Sequence, residues 1–201
     1  MKVIVVGATG TIGRAVAAAL ETRHEVVRVG NTHGDVTVDI ASADSIRAMY
    51  ERVGEFDALV SAAGRAAFKP LDQLTDADFD LSLSNKLMGQ INLVRLGMQS
   101  VRLGGSFTLT SGVLAREPMP GSGAVSLVNA GLEGFVLAAA LQMPRGARIN
   151  IVSPPWVAET LQAMGRDPHG GLPAERVAAA YVASVEGDDT GTILDARSFA
   201  M

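Results

Sequence analysis

Gly7, Gly10 and Gly13 are the residues whose type and spacing point first to chemistry. They stand in GATGTIG, directly behind the β-branched run Val3–Val6 and ahead of an alanine-rich helical start, Arg14–Leu20. Strand, glycine turn, helix is the setting in which a chain binds a dinucleotide. Gly7 permits a tight turn off the strand, Gly10 has no Cβ to hold a pyrophosphate away, and Gly13 lets the helix pack close to the strand. The helix N-terminus then offers free N–H groups and partial positive charge to phosphates. Thr9, Thr11, Ile12 and Arg14 therefore join the glycines as candidate contacts. The spacing is G-x-x-G-x-x-G rather than G-x-G-x-x-G, and a plain turn before a core helix carries similar glycines.

The next strand, Glu25–Val29, should end beside the adenosine ribose. An acid there accepts the ribose hydroxyls of NAD. Here the strand runs into Gly30, Asn31, Thr32, His33 and Gly34, with no carboxylate before Asp35. A carboxylate would repel a 2′-phosphate, whereas Asn31, Thr32 and His33 can donate hydrogen bonds to one. Arg14 is an available charge partner. The expectation is NADP, with NAD left open, and the bland alternative is that Arg14 and His33 are merely solvated.

Composition narrows the classes. The 201 residues suffice for one α/β domain, and 48% are hydrophobic with few aromatics, so the core is aliphatic. A net charge of −4 argues against a general nucleic-acid binder. The chain has no cysteine, which removes disulfides, thiolate catalysis and thiolate-bound zinc. His24, His33 and His169 show no metal-ligand spacing and read as solvated positions, so no metal is expected. The N-terminus runs straight into a strand and no apolar stretch reads as a membrane span, so a cytoplasmic protein without a signal peptide is expected.

Strands and helices alternate along the whole chain. Asp35–Ile40 reads as a third strand, Ser42–Val53 as a helix with Ile46, Met49, Tyr50 and Val53 on one face, and Phe56–Val60 as a fourth strand ending in Ser61, Ala62, Ala63 and Gly64. A loop and polar helix (Pro70–Leu83) lead to a long helix, Ser84–Val101. Gly104–Ser111, Ala147–Val152 and Thr192–Asp195 read as further strands, with helices over Gly123–Met143 and Ala174–Val185. This order predicts a doubly wound parallel sheet, a Rossmann fold, in a single domain over 1–201.

In their order, these motifs resemble the short-chain dehydrogenase/reductase family over nearly the whole chain. The resemblance rests on GATGTIG, Asp39, SAAG, the KLMGQINLV helix, the FTLTS strand, the LEGF helix and the SPPWV turn. It implies that Asp39, with Ile40, contacts the adenine, although Asp39 as a helix N-cap fits the sequence as well. It implies that Ser61–Gly64 lies over the cofactor and that Pro154 and Val157 flank the nicotinamide, Pro155 replacing the family's glycine. It also implies packing of the long helix against a partner subunit, as a homodimer or homotetramer.

The family's redox site uses an asparagine, a serine, a tyrosine and a lysine. Ser111 matches the serine. Counting back from Leu132, Glu133, Gly134 and Phe135 puts Asn129 at the lysine position and Val125 at the tyrosine position. Lys86, three before Gly89, stands at the asparagine position, so asparagine and lysine read as exchanged. A slip of one residue would put Asn85 there instead, and Ser126 on its helix should point elsewhere. A partly buried lysine can have its pKa lowered and donate a proton. The plainer alternative is that Lys86 caps carbonyls or pairs with an acid such as Asp80.

Two functions follow from the resemblance. One is NADP-dependent oxidation or reduction of a small carbonyl or alcohol compound by a modified site, with Ser111, Lys86 and Asn129 as candidate catalytic residues. The other, favoured by Val125, is an NADP-binding sensor or assembly subunit without turnover. Methyl transfer from S-adenosylmethionine fits the glycine spacing less well. Ala66, Phe68, Val113, Leu114, Met119 and Trp156 are expected to line the substrate pocket, under little or no lid between Pro155 and Pro173.

Overall fold

A computed structural model describes residues 1–199. Seven parallel strands form one sheet in the order β3-β2-β1-β4-β5-β6-β7. They are β1 (Lys2–Val6), β2 (Glu25–Gly30), β3 (Val36–Thr37), β4 (Phe56–Ser61), β5 (Val101–Thr110), β6 (Arg148–Ser153) and β7 (Ile193–Asp195). The helices are α1 (Thr11–Glu21), α2 (Ala43–Val53), α3 (Asp76–Leu81), α4 (Gly89–Gly97), α5 (Gly123–Ala139), α6 (Ala158–Ala163) and α7 (Ala174–Glu186). The doubly wound Rossmann architecture expected from the sequence is the one observed. The domain expected over 1–201 ends in Ala200 and Met201, which lie outside the described residues.

Why the strands read as continuous apolar runs is visible in β1. Ile4 and Val6 enter the core beneath α2, α4 and α5, while Val3 and Val5 enter the core beneath α1 and α7. Alternate side chains go to opposite faces, and helices cover both. The chain leaves β1 towards β2 and β3, then returns to place β4 on the other side of β1. That reversal opens a crevice at the carboxyl ends of β1 and β4, the place where such sheets bind ligands.

Several boundaries differ from expectation. The third strand pairs only over Val36 and Thr37, so Asp39 and Ile40 lie beyond it in a turn. The long helix does not begin at Ser84: Ser82–Met88 is π-helical, continuous with α3 and α4, and α4 ends at Gly97 because β5 already starts at Val101. His33 and His169 are exposed, but His24 is largely buried, its Nε2 lying 2.8 Å from Glu186 Oε1. The reading that no stretch could span a membrane also needs correction. Gly123–Gln142 is long and apolar enough by composition. Its Val128, Leu132 and Val136 are core residues of the sheet's packing, and its one charge, Glu133, is ion-paired inside the fold.

Candidate active site

The first cavity is the crevice itself, of about 380 Å³. Gly7, Thr9, Gly10, Asn31, Asp39, Ile40, Ala62, Ala63 and Gly64 line it, with Val6, Gly30, Val38, Arg65 and Asn85. Gly7 has φ +86°, and a Cβ there would stand 2.6 Å from the Ala62 carbonyl oxygen. A Cβ on Gly13 would stand 2.0 Å from the Gly7 carbonyl oxygen, so α1 reaches its close seat on β1 only with glycine there. Gly10 is the N-cap of α1; no side chain caps the helix and no acid stands in its first turn. The N-terminal N–H groups and their positive dipole are thus left for an anion. A dinucleotide's pyrophosphate fits this cradle.

Not every expected residue lines the crevice. Ser61 is buried beneath it, its hydroxyl without a partner. Thr32 is exposed and its hydroxyl lies 2.8 Å from His33 Nδ1. Thr11 and Arg14 line a groove on the outer side of α1, shared with Glu159 and Glu175. Asp39 does not cap α2: Ser42 does, accepting from the Ser45 amide at 3.2 Å. Asn85 proves structural, its Oδ1 accepting from the Arg65 amide at 2.8 Å and so holding the turn after β4.

A second cavity, of about 310 Å³, opens at the end of β5. Lys86, Ser111 and Asn129, which lie far apart in sequence, all reach its wall, and so does Val125. Ile12, Pro154 and Val157 also line this cavity rather than the crevice. Of the expected pocket residues, Phe68, Val113, Leu114 and Trp156 line it; Ala66 and Met119 do not. The short segment after Pro155 does roof it, because α6 supplies Thr160 and the following residue Met164. Phe68 and Trp156 meet edge to face at 5.8 Å between ring centroids.

The polar groups here are held from behind. Buried Gln90 clamps the end of β5, donating to the Thr110 carbonyl and accepting from the Thr110 amide, both at 2.9 Å. The Thr110 hydroxyl lies 2.7 Å from Tyr181 Oη, which keeps that tyrosine in the core; Tyr50 is held in the opposite core by the Leu93 carbonyl. Ser111 donates its hydroxyl to Glu133 Oε1 at 2.9 Å, and Arg116 grips the same carboxylate with two bonds of 3.1 Å. Ser126 bonds to the Ser122 hydroxyl instead of the cavity. Neither Glu133 nor Arg116 was expected at the site. The legible signal was that Glu133 is the one charge in the apolar run from Gly123 to Met143.

Lys86 makes one weak bond, from Nζ to the Ser111 carbonyl at 3.4 Å, and Asp80 is exposed elsewhere. Burial pushes its ammonium down to about 8, since removing water disfavours the charged form. Asn129 is buried, and its Oδ1 has no hydrogen-bond partner. The cavity therefore sets a poised cation in an apolar wall, with an unmet amide oxygen buried behind it.

Comparison with known proteins bears on what this arrangement is. A family model described as enoyl-(acyl carrier protein) reductase, adh_short_C2, matches residues 1–189. The chain belongs to the short-chain dehydrogenase/reductase family. It is similar to protein lin1944 from Listeria innocua, with 44% identity, a TM-score of 0.93, and 97% and 98% of the two chains covered. A small-chain dehydrogenase solved in complex with NADPH is 26% identical with a TM-score of 0.86, covering 97% of this chain and 95% of that one. Hydroxynaphthalene reductase arp2 of Aspergillus fumigatus is 25% identical over 150 residues, which are 72% of this chain and 55% of that protein. The chain spans about half the length of such curated short-chain relatives.

Proposed function

We propose that the protein is an NADP(H)-dependent oxidoreductase that interconverts a small carbonyl compound and its alcohol through a modified proton-donating site. The carrying observation is the convergence of Lys86, Ser111 and Asn129 on one apolar cavity beside an open helix N-terminus. A relative of matching fold holds NADPH, which supports the cofactor. The nicotinamide would supply or accept hydride. Gly10 and the first turn of α1 would hold the pyrophosphate, Asn31 with no acid at the end of β2 would suit a 2′-phosphate, and Asp39 would meet the adenine. Pro154 and Val157 would border the nicotinamide. NAD remains the alternative cofactor.

Family chemistry uses a tyrosine at the position where this chain has Val125 and a lysine where it has Asn129. In our reading Lys86 takes over the proton. Its lowered pKa brings it near neutrality, where a general acid works best. Ser111, with its proton directed at Glu133, would accept a hydrogen bond from the hydroxyl of the alcohol, while the carbonyl oxygen would take its hydrogen bond from Lys86. The whole span 1–201 would act as one dinucleotide-binding domain, in a cytoplasmic homodimer or homotetramer. Val125 favours a second reading, an NADP(H)-binding sensor or assembly subunit without turnover.

Fluorescence titration with NADPH and NADH, followed by a panel of aldehydes, ketones and quinones, decides between them. Tight NADPH binding with turnover that is lost in Lys86→Ala supports the oxidoreductase. Binding with no turnover supports the sensor. Failure to bind either dinucleotide overturns both.

A further inference from the structure

Lys86 carries the only charge on the wall of the 310 Å³ cavity. Among the described residues nothing neutralises that charge. On its own helical run Asp78 is paired with Lys69, and Asp80 is exposed. On α5, Glu133 is committed to Ser111 and Arg116; on the turn after β4, Arg65 is exposed. The shift of Lys86 has desolvation as its one cause, so no neighbouring charge acts on it appreciably. A cation facing an apolar space without a counter-ion is costly, and the protein leaves that cost unmet.

Two further features describe what would meet it. The walls include Phe68 and Trp156 in edge-to-face contact, a lining that favours a flat ring, with the Arg166 guanidinium over the Trp156 ring at 5.3 Å from its centroid. The volume lies at the small end of the range for ligand pockets. The geometry points to a small ring compound bearing an acidic oxygen, a carboxylate or an ionised phenol or enol, seated with that oxygen on Lys86. Pro154 and Val157 of the same cavity are assigned above to the nicotinamide, so the inference concerns the side formed by Lys86, Phe68 and Trp156; it rests on that side being the substrate side of the proposed site, and it names the class of compound that side selects.

The test needs no turnover. Calorimetry of the intact protein without dinucleotide would compare cinnamate with cinnamamide, the same ring and tail without the charge. Quenching of Trp156, the only tryptophan, reports that the ligand sits in this cavity. The acid is expected to bind at least tenfold tighter than the amide at pH 6.5, and its advantage to fall as pH rises through about 8, where Lys86 loses its proton. Lys86→Met should abolish the advantage and Lys86→Arg should keep part of it. Free 4-nitrophenol, titrated across its own ionisation, tests the phenolate arm against the carboxylate arm. Equal affinity for cinnamate and cinnamamide in the unmodified protein overturns the inference, whatever the variants do. If NADPH still binds in that case, only the substrate class has failed. If NADPH does not bind, the underlying reading has failed with it.

Discussion

Single residues carry two opposed demands in this protein, packing and chemistry. Gly13 serves packing. Its missing Cβ allows the Gly7 carbonyl to sit where a methyl would be 2.0 Å away. Gly13→Ala is expected to lose roughly 2–4 kcal/mol in denaturant unfolding, by overpacking against backbone that cannot yield, and to abolish dinucleotide binding. Lys86, in the role proposed for it, would serve chemistry at a cost to stability. Its folded pKa of about 8 lies below the ordinary lysine value of 10.5. Between those values the unfolded chain binds more protons than the folded one, so the protein's stability rises with pH across that window. Lys86→Met should therefore stabilise the fold at pH 7, by about 3 kcal/mol. The gain should be full below about pH 8 and gone near 10.5, as followed by melting temperature against pH. A variant that loses function while gaining stability distinguishes a functional lysine from a structural one.

At the level of elements, the π-helical run Ser82–Met88 decides where Lys86 points. One extra residue in a helical turn rotates everything on one side of it relative to the other, and such turns are common at functional sites. The motif KLMGQINLV was legible as a helix, but the π turn was not. Its residues have ordinary helix propensity, and the widened turn packs against α5 and the loop after β4, which are distant in sequence. Deleting exposed Ser84 should restore an α-helical register. Circular dichroism is expected to show unchanged helix content, while the Lys86-dependent preference for an acid ligand falls about tenfold. Retention of that preference would show that the π turn does not aim Lys86. Other local features were written plainly: Ser42 sits where a cap residue should, ahead of the apolar face of α2.

For the molecule as a whole, α5 presents an unusual outer face. Leu127, Leu137 and Leu141 are exposed on or just beyond a helix whose inner side is core. Burying them against a second copy would suit the homodimer or homotetramer proposed above. Leu137→Glu is expected to yield monomers in analytical ultracentrifugation where the unmodified protein sediments as a dimer or larger, with little change in melting of the monomer fold. An unmodified protein that sediments as a monomer would overturn the proposed assembly.

What the sequence determined by itself was the layered architecture and the glycine turn that leaves the α1 N-terminus uncapped. Both depend on local order: Val3–Val6 followed by three spaced glycines, and apolar strands alternating with one-faced helices, leave few ways to bury the side chains. Boundaries such as the two-residue β3 escaped it, because Asp35–Ile40 has strand character whether or not a neighbour pairs with it. The second cavity was only partly legible. Lys86, Ser111 and Asn129 come from three separate elements, and their meeting is a product of sheet order and helix rotation. Glu133 was visible as an isolated charge, yet only the tertiary fold shows that it accepts the Ser111 hydroxyl's hydrogen bond, since that bond depends on how α5 lies across the end of β5. The same holds for Arg14, which the chain order sets beside the phosphate turn and the fold turns outward towards Glu159 and Glu175. Spacing along the chain specifies what a turn can bind; which side chains share a cavity is decided by packing between distant segments.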